Sequence, residues 1–263
     1  MNVFKQELKF QMRSILYWTG SIAVVLLIFM SIFPSFAKEA ASLKQALASF
    51  PPAMFAAIGM DIETIFEAGG FVSYIYGFIE LCLAIMGALY GYTVMGREKM
   101  ARMNDFLYAK PASRPWVFLQ KLVVSLSIFV FLNAVLFVIF QWLANVWTID
   151  ANNLTLINQI IAGGFLLQLF MFALSTLLAL VSRRIKNPVG SATGLGFGFF
   201  LVLMIGRLMD EPLIKQLTPF GYVEPLTIIK DGLTLPIILG FLAATLLLLA
   251  LSLYLWLTKD LEA

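Results

Sequence analysis

The chain has 263 residues, 61% of them hydrophobic and only 13% charged, with a net charge of +3. A soluble domain is about half apolar and a quarter charged, so one water-soluble core is excluded and a polytopic membrane protein is the class that remains. Histidine is absent, which removes His-based metal sites, His general bases and Ser–His or Cys–His nucleophile pairs.

Residues 2–14 carry Phe4, Leu8, Met12 and Ile15 at helical spacing beside a basic row of Lys5, Lys9 and Arg13. Such a segment predicts an amphipathic elbow helix in the headgroup plane, leading into the first span. Six spans of about 20 or more residues follow, each long enough to cross a hydrocarbon core of about 30 Å. They are predicted over Ile15–Phe36, Phe71–Met95, Trp116–Val146, Leu156–Ser182, Val189–Leu208 and Pro236–Thr258. Ser35-Phe36-Ala37 resembles a signal-peptidase site, but the preceding apolar run is longer than a signal peptide's, and the first span is read as an uncleaved anchor.

Ala37–Gly70 is too long for a turn. Leu43, Ala46, Leu47 and Phe50 predict a short helix stopping at Pro51-Pro52. Asp61 predicts a second one, capped there, running through Phe66 and ending at Gly69-Gly70. The second span holds Glu80, an ionisable group deep in the membrane, and Cys82, the single cysteine, which rules out a disulfide framework. Asn133 in the third span and Gln168 in the fourth fall at similar depth. The three form either a polar patch on a substrate path or interhelical hydrogen bonds.

Between the second and third spans, Arg97–Lys121 holds six of the chain's 18 Lys and Arg residues. Met100, Met103, Phe106 and Leu107 share a helical face among charged neighbours, Pro111 ends that helix, and Ser113 caps the third span with Pro115 in its first turn. The chemistry leaves two readings open, a docking helix and a solvated loop obeying the positive-inside rule. Asn153-Leu154-Thr155 matches a glycosylation sequon, read as chance. Arg183, Arg184 and Lys186 separate the fourth span from the fifth, where Gly190, Gly194 and Gly198 repeat every fourth residue with Gly196 beside them. That spacing permits close helix approach, within the subunit or across an interface. Met209–Leu235 mixes Pro212, Pro219, Gly221 and Pro225 with apolar residues, so it is expected to dip into the membrane and pack on the bundle. With the N-terminus inside, thirteen Lys and Arg fall on the inner segments and five on the outer ones. This bias places both termini in the cytoplasm.

These features, in this order, resemble the permease subunits of type-2 ABC exporters, and in particular bacterial peptide- and antibiotic-exporter permeases. In that family an acidic residue after the second span is followed by a Phe-Leu or Leu-Leu pair, then Pro-Val-Ser-Arg, then a lysine entering the third span. Glu98, Phe106-Leu107, Pro111-Ala112-Ser113-Arg114 and Lys121 match that order, with Ala112 in place of the usual branched residue and Met103 where a small or hydroxyl residue is common. The elbow, Phe50-Pro51-Pro52, Thr218-Pro219-Phe220 and the closing Lys259-Asp260-Leu261 also fit, so the resemblance covers essentially the whole chain.

The resemblance implies an all-α membrane protein. It would be a single transmembrane domain over 1–263, with six transmembrane helices, an elbow helix over 1–14, a cytoplasmic coupling helix and short outer helices. It implies that 97–114 docks on a separate ABC ATP-binding subunit, two copies per complex, through Glu98, Met103, Phe106, Leu107 and Arg114. It implies a second permease, identical or paralogous, with Gly190, Gly194 and Gly198 as the candidate contact. Glu80, Asn133 and Gln168 are the candidate substrate path for a small amphipathic peptide, antibiotic or lipid-like molecule. No Walker motif and no Gly-Lys pair occur, so ATP and Mg are expected on the partner and no cofactor on this chain. Membrane lipid is an expected partner and nucleic acid is not. A secondary transporter or channel is the alternative, although no internal repeat supports it. An intramembrane enzyme has almost no catalytic parts to draw on.

Overall fold

Six helices are long and apolar enough to cross a membrane, and their bounds match the predicted spans within a few residues except at the N-terminus. The structure is a computed structural model that describes residues 3–101, 113–147, 149, 151–182 and 185–258. The spanning helices are α1 (Val3–Lys38), α4 (Ala68–Ala101), α5 (Arg114–Val146), α6 (Ala151–Val181), α7 (Pro188–Leu208) and α10 (Leu235–Thr258). Short helices lie between them at the end of the bundle away from residue 3, which the charge bias predicts to be the outer one: α2 (Ala40–Leu47), α3 (Pro52–Ala57), α8 (Pro212–Gln216), a 3₁₀ turn (Pro219–Tyr222) and α9 (Pro225–Asp231). No strand occurs among the described residues. Met103, Phe106, Leu107, Pro111, Arg183, Arg184 and Lys259 lie outside the described residues, as does the side chain of Glu98.

The centre of the bundle is the pair α4 and α6, its two most buried helices. They run parallel and in step. Tyr76 donates to the Ile161 carbonyl at 3.5 Å, Gly87 lies against the backbone of Gln168, and Gly91 lies against Phe172, Ser175 and Thr176. Gly164 answers from α6 by facing the Tyr76 ring. A Cβ at Gly87 or Gly91 would meet backbone atoms of the partner helix, so these glycines set the interaxial distance. The close approach that the sequence suggested at Gly190, Gly194 and Gly198 is made within the subunit at Gly87 and Gly91, also four residues apart.

α1 and α5 also run parallel. Glu7 approaches Lys121 at the inner end, and the Phe33 and Trp147 rings pack at a tilt at the outer end with centroids 4.6 Å apart. Both pairs are offset by 114 positions (121 − 7 and 147 − 33), so the helices stay in register for about 39 Å at 1.5 Å per residue. This corrects the expected elbow. Residues 3–14 are helical and their basic row is exposed, but they continue into the first span as one 36-residue helix. Met12, expected on the apolar stripe, is exposed, whereas Glu7 and Gln11 are buried. Seating on α5 explains the difference, because it turns the Glu7–Gln11–Ile15 face inward and leaves no hinge.

The outer segment 37–70 also differs from expectation. α2 forms where predicted, but Pro52 starts α3 in the first-turn position where its missing N–H costs nothing. Asp61 does cap, accepting from the Glu63 amide at 3.0 Å, yet residues 62–66 are turns and not a helix. Gly69-Gly70 begin α4 instead of ending a helix, since a Cβ at Gly70 would strike the Thr64 backbone that folds over it. The segment 209–235 packs on the bundle as expected. Phe220 and Val223 are fully buried while Leu213 and Leu217 are exposed. Lys230 ties this segment to the first outer segment through Asp61 at 2.6 Å.

Because overpacking a tight contact costs about 1–3 kcal/mol or more, Gly91→Leu is expected to lower the melting temperature and the folded yield in detergent. Gly20→Leu, at a position with no atom near its Cβ on the outer face of α1, is the control and should melt like the parent. Equal stability of the two variants would refute the account of the α4–α6 contact.

Candidate functional site

Three polar constellations interrupt the apolar bundle, one at each end and one between. At the inner end Lys121 is 1% exposed, and its Nζ donates to the Val94 carbonyl of α4 at 2.6 Å. The same ammonium lies 3.9 Å from the Glu7 carboxylate of α1 and 5.9 Å from the centre of the Trp256 ring of α10. Trp256 in turn donates its indole N–H to the Arg114 carbonyl at 3.1 Å. A buried ammonium is tolerated only where it is paired and hydrogen-bonded, and here three other helices, α1, α4 and α10, supply those partners. Lys121 therefore ties both helices that flank the 102–112 segment to the first and last helices of the chain. Ser113 occupies the predicted cap position in extended conformation, but its side chain makes no capping hydrogen bond, and Pro115 lies in the first turn as expected.

In the middle, Asn133 of α5 donates to Gln168 of α6 at 2.8 Å and to the Phe129 carbonyl at 2.9 Å, and Gln168 reaches the Met86 sulfur of α4 at 3.6 Å. The structure thus joins two of the three residues proposed for a polar path. Their link is the interhelical hydrogen bond of the plainer alternative, worth about 1 kcal/mol. Glu80 is not joined to them. It is 1% exposed, and its Oε1 has no hydrogen-bond partner among the described residues. It faces a different set of charges, Arg207 and Glu224, through space.

Those two residues form the outer constellation. Arg207, on the last turn of α7, donates its Nε to Glu224 at 2.7 Å, and both side chains are more than nine-tenths buried. Thr227 donates to the other carboxylate oxygen at 3.2 Å. Gly59, with φ +77, lies against the guanidinium, where any Cβ would collide with it. This residue thus needs glycine for both backbone conformation and space. Arg207 is one of the five cations that the charge count assigns to the outer segments. The signal that marks it as buried was present: Arg207 continues the stripe Ala192, Gly196, Phe200, Leu203 at helical spacing. Nearby, burial works against the Asp61 carboxylate, but hydrogen bonds from Lys230 and the Glu63 amide outweigh it and hold the group below its ordinary value of 3.8. Its pairing is therefore complete at neutral pH and is lost only as the pH falls below that value.

The glycine stripe of α7 divides. Gly196 packs against Ile85 of α4, whereas Gly190, Gly194 and Gly198 are exposed on the opposite face. Gly194 and Gly198 have no atom near a built Cβ, and Gly190 meets only Asn187, whose side chain caps α7 by accepting from the Gly190 amide at 3.0 Å. No group of three or more acidic or cysteine ligands that could hold a metal occurs among the described residues.

The family model described as ABC-2 family transporter protein matches residues 1–261. The chain belongs to this family. Comparison with curated proteins and with solved structures finds no match. Membership makes this ABC-2 protein a multi-pass membrane component of a transporter and implies an ABC ATP-binding subunit as its partner. All three constellations are then features of a transporter's membrane domain, and none has the make-up of a catalytic centre.

Removing one partner of a buried ion pair costs about 3–5 kcal/mol, because the other charge stays buried, whereas replacing both is often neutral. Arg207→Met is therefore expected to destabilise this ABC-2 protein strongly, and Arg207→Met/Glu224→Leu to recover most of the loss. Thermal melts of the two variants in the same detergent read the coupling directly, and simple additivity would exclude it.

Proposed function

We propose that this chain is the permease subunit of an ATP-driven ABC exporter. In this reading two permeases, identical or paralogous, form an outward path for a small amphipathic substrate such as a peptide, an antibiotic or a lipid-like molecule. The observation that carries it is the family match over residues 1–261. Nucleotide binding and hydrolysis belong to a separate ATP-binding subunit, which holds ATP and Mg; this chain supplies no cofactor site. The thirteen-to-five charge bias supports cytoplasmic termini. That orientation puts the Lys121 constellation and the 97–114 segment on the same side as the ATPase.

The docking surface in this proposal is the 97–114 segment. By the periodicity of the sequence Met103, Phe106 and Leu107 would share an apolar face, with Glu98 and Arg114 flanking it. A short apolar helix face of this kind suits a groove on a soluble partner. The Lys121 hub supports the proposal, because movement at the base of the segment would reach α1, α4, α5 and α10 together. Phe106→Ala should lower recovery of the ATPase with the tagged permease, or leave hydrolysis running without transport in proteoliposomes. Parental recovery together with parental transport would overturn the docking assignment.

The contact between permeases is assigned to the exposed α7 face carrying Gly190, Gly194 and Gly198. Open space at Gly194 and Gly198 within the subunit supports a neighbour outside it. Gly194→Leu should weaken the permease–permease crosslink of the purified complex while the single subunit melts normally. An undiminished crosslink with intact export would move the interface elsewhere, with α1 the next surface to examine.

A further inference from the structure

The exposed cations of α1 do not stand where the rest of the bundle would put them. Lys5, Lys9 and Arg13 occupy one exposed stripe. Two positions on from each, and so about 200° around the helix, Glu7, Gln11 and Ile15 are buried. The stripe therefore points away from the subunit. At the offset of 114 positions shared by α1 and α5, Lys5, Lys9 and Arg13 are level with Leu119, Val123 and Ser127. α5 exposes Leu119, Val123, Leu126 and Val130 there. One flank of the bundle thus shows aliphatic side chains at the depth where another shows cations. We infer that the Lys9–Arg13 stripe is a binding surface for the headgroup phosphate of an anionic phospholipid, such as phosphatidylglycerol, drawn inward along α1 at the inner end of the bundle.

Charge, depth and the flanking side chains select that occupant. Glu7 is the only carboxylate in α1, and it is turned inward toward Lys121, so the charge on the exposed face is purely positive. Lys9 and Arg13 form no hydrogen bond or ion pair among the described residues, which leaves both for an external anion. Clusters of Lys and Arg at a membrane surface attract anionic headgroups. Depth argues against a water-soluble partner, whose surface would have to enter the membrane to the level of exposed Leu119 and Val123 on a spanning helix. A phospholipid reaches that level by settling within its leaflet, and the long stems of Lys and Arg let their charges extend toward the phosphate. Like charge argues against the same stripe of a second copy as the counterpart. Beyond the cations the same face continues through Leu16 and Val24, both exposed, with Phe10 and Tyr17 exposed at its edge. Acyl chains can lie along the aliphatic part, and aromatic rings suit the headgroup level. The inference requires only that the chain spans a membrane, so it stands or falls independently of the export reading.

The full-length chain, purified in mild detergent with an equimolar mixture of phosphatidylglycerol and phosphatidylcholine, provides the test, with retained lipids read by native mass spectrometry. The parent should retain phosphatidylglycerol in several-fold excess, and high salt should reduce that excess. Lys9→Gln/Arg13→Gln should bring the ratio close to one without lowering the melting temperature, since neither side chain bonds within the described part of the subunit. Lys38→Gln/Lys186→Gln removes the same charge from other exposed positions and should keep the excess, as should Lys9→Arg/Arg13→Lys. If the double Gln variant fails to fold, the single variants Lys9→Gln and Arg13→Gln carry the comparison, each with a smaller loss. No excess in the parent, an undiminished excess without Lys9 and Arg13, or an equal loss in the charge control would each overturn the assignment. So would loss of the ATP-binding subunit from Lys9→Gln/Arg13→Gln with the lipid ratio unchanged, which would make the stripe a protein-docking surface.

Discussion

The direct contact of two backbones, α4 against α6, is the constraint on which the bundle depends. Within a membrane there is little hydrophobic gain in bringing helices together, because lipid tails are as apolar as leucine. Association has to come from close packing and from hydrogen bonds. Gly87 and Gly91 provide the first by removing the side chains that would hold the helices apart, and Gly164 makes room for the Tyr76 ring. Gln168 provides the second, linking Met86 on one side to Asn133 on the other. The remaining spans arrange themselves about this pair: α5 through Asn133, α7 through Gly196 on Ile85, and α10 through Phe241 on Phe170.

The two ends of that central unit are then fixed by charge. At the inner end the Val94 carbonyl of α4 accepts from Lys121, and at the outer end Glu80 lies within the field of the Arg207–Glu224 pair. Buried ionic groups rarely add much net stability compared with an apolar replacement. What they add is discrimination. An ammonium with partners on three helices besides its own and a guanidinium seated on Gly59 are each satisfied in one arrangement only, so small displacements of any participating helix are penalised. α4 takes part at both ends, and it carries the inner helix end from which the 102–112 segment leaves.

Much of this was legible in the sequence because hydropathy and length decide membrane spans almost alone. All six appeared within a few residues, apart from the N-terminal extension of α1. That miss has a physical cause. The periodicity of residues 4–15 identifies an amphipathic helix but does not say whether lipid or another helix covers its face, and here α5 does, reading Glu7 and Gln11 as buried positions. The Asp61 segment failed for a related reason. Asp61 does cap a turn, but the Gly69-Gly70 pair serves a close approach by Thr64, and close approach is a tertiary fact. The polar trio separated by depth: Gln168 is level with Met86 and Gly87 of α4, about 10 Å along the helix from Glu80 at 1.5 Å per residue, an offset set by how α4 and α6 pack and not by either sequence alone. The Arg207 pair was missed by counting charge without phase, since its partner Glu224 arrives from a proline-rich segment with no periodicity of its own.

The distribution of burial around the central pair leaves three kinds of surface, and each has its own chemistry. α10 exposes an array of leucines, interrupted by a cavity where Gly240 and the 216–222 segment leave space. α7 exposes a face that carries Gly194 and Gly198 beside Leu201 and Ile205, which leaves room for the close approach of a neighbour. The end of the bundle that the charge bias predicts to be cytoplasmic is the one where the sequence concentrates its cations. A helix bundle that had only to remain folded in a membrane would have no reason to differentiate its outer faces in this way, since one uniform leucine coat would serve. The differentiation is intelligible if the subunit meets lipid on one side, a second membrane subunit on another and a soluble subunit at its end. Each neighbour then constrains a different set of side chains, while the glycine-packed core of α4 and α6 keeps the three faces in fixed relation.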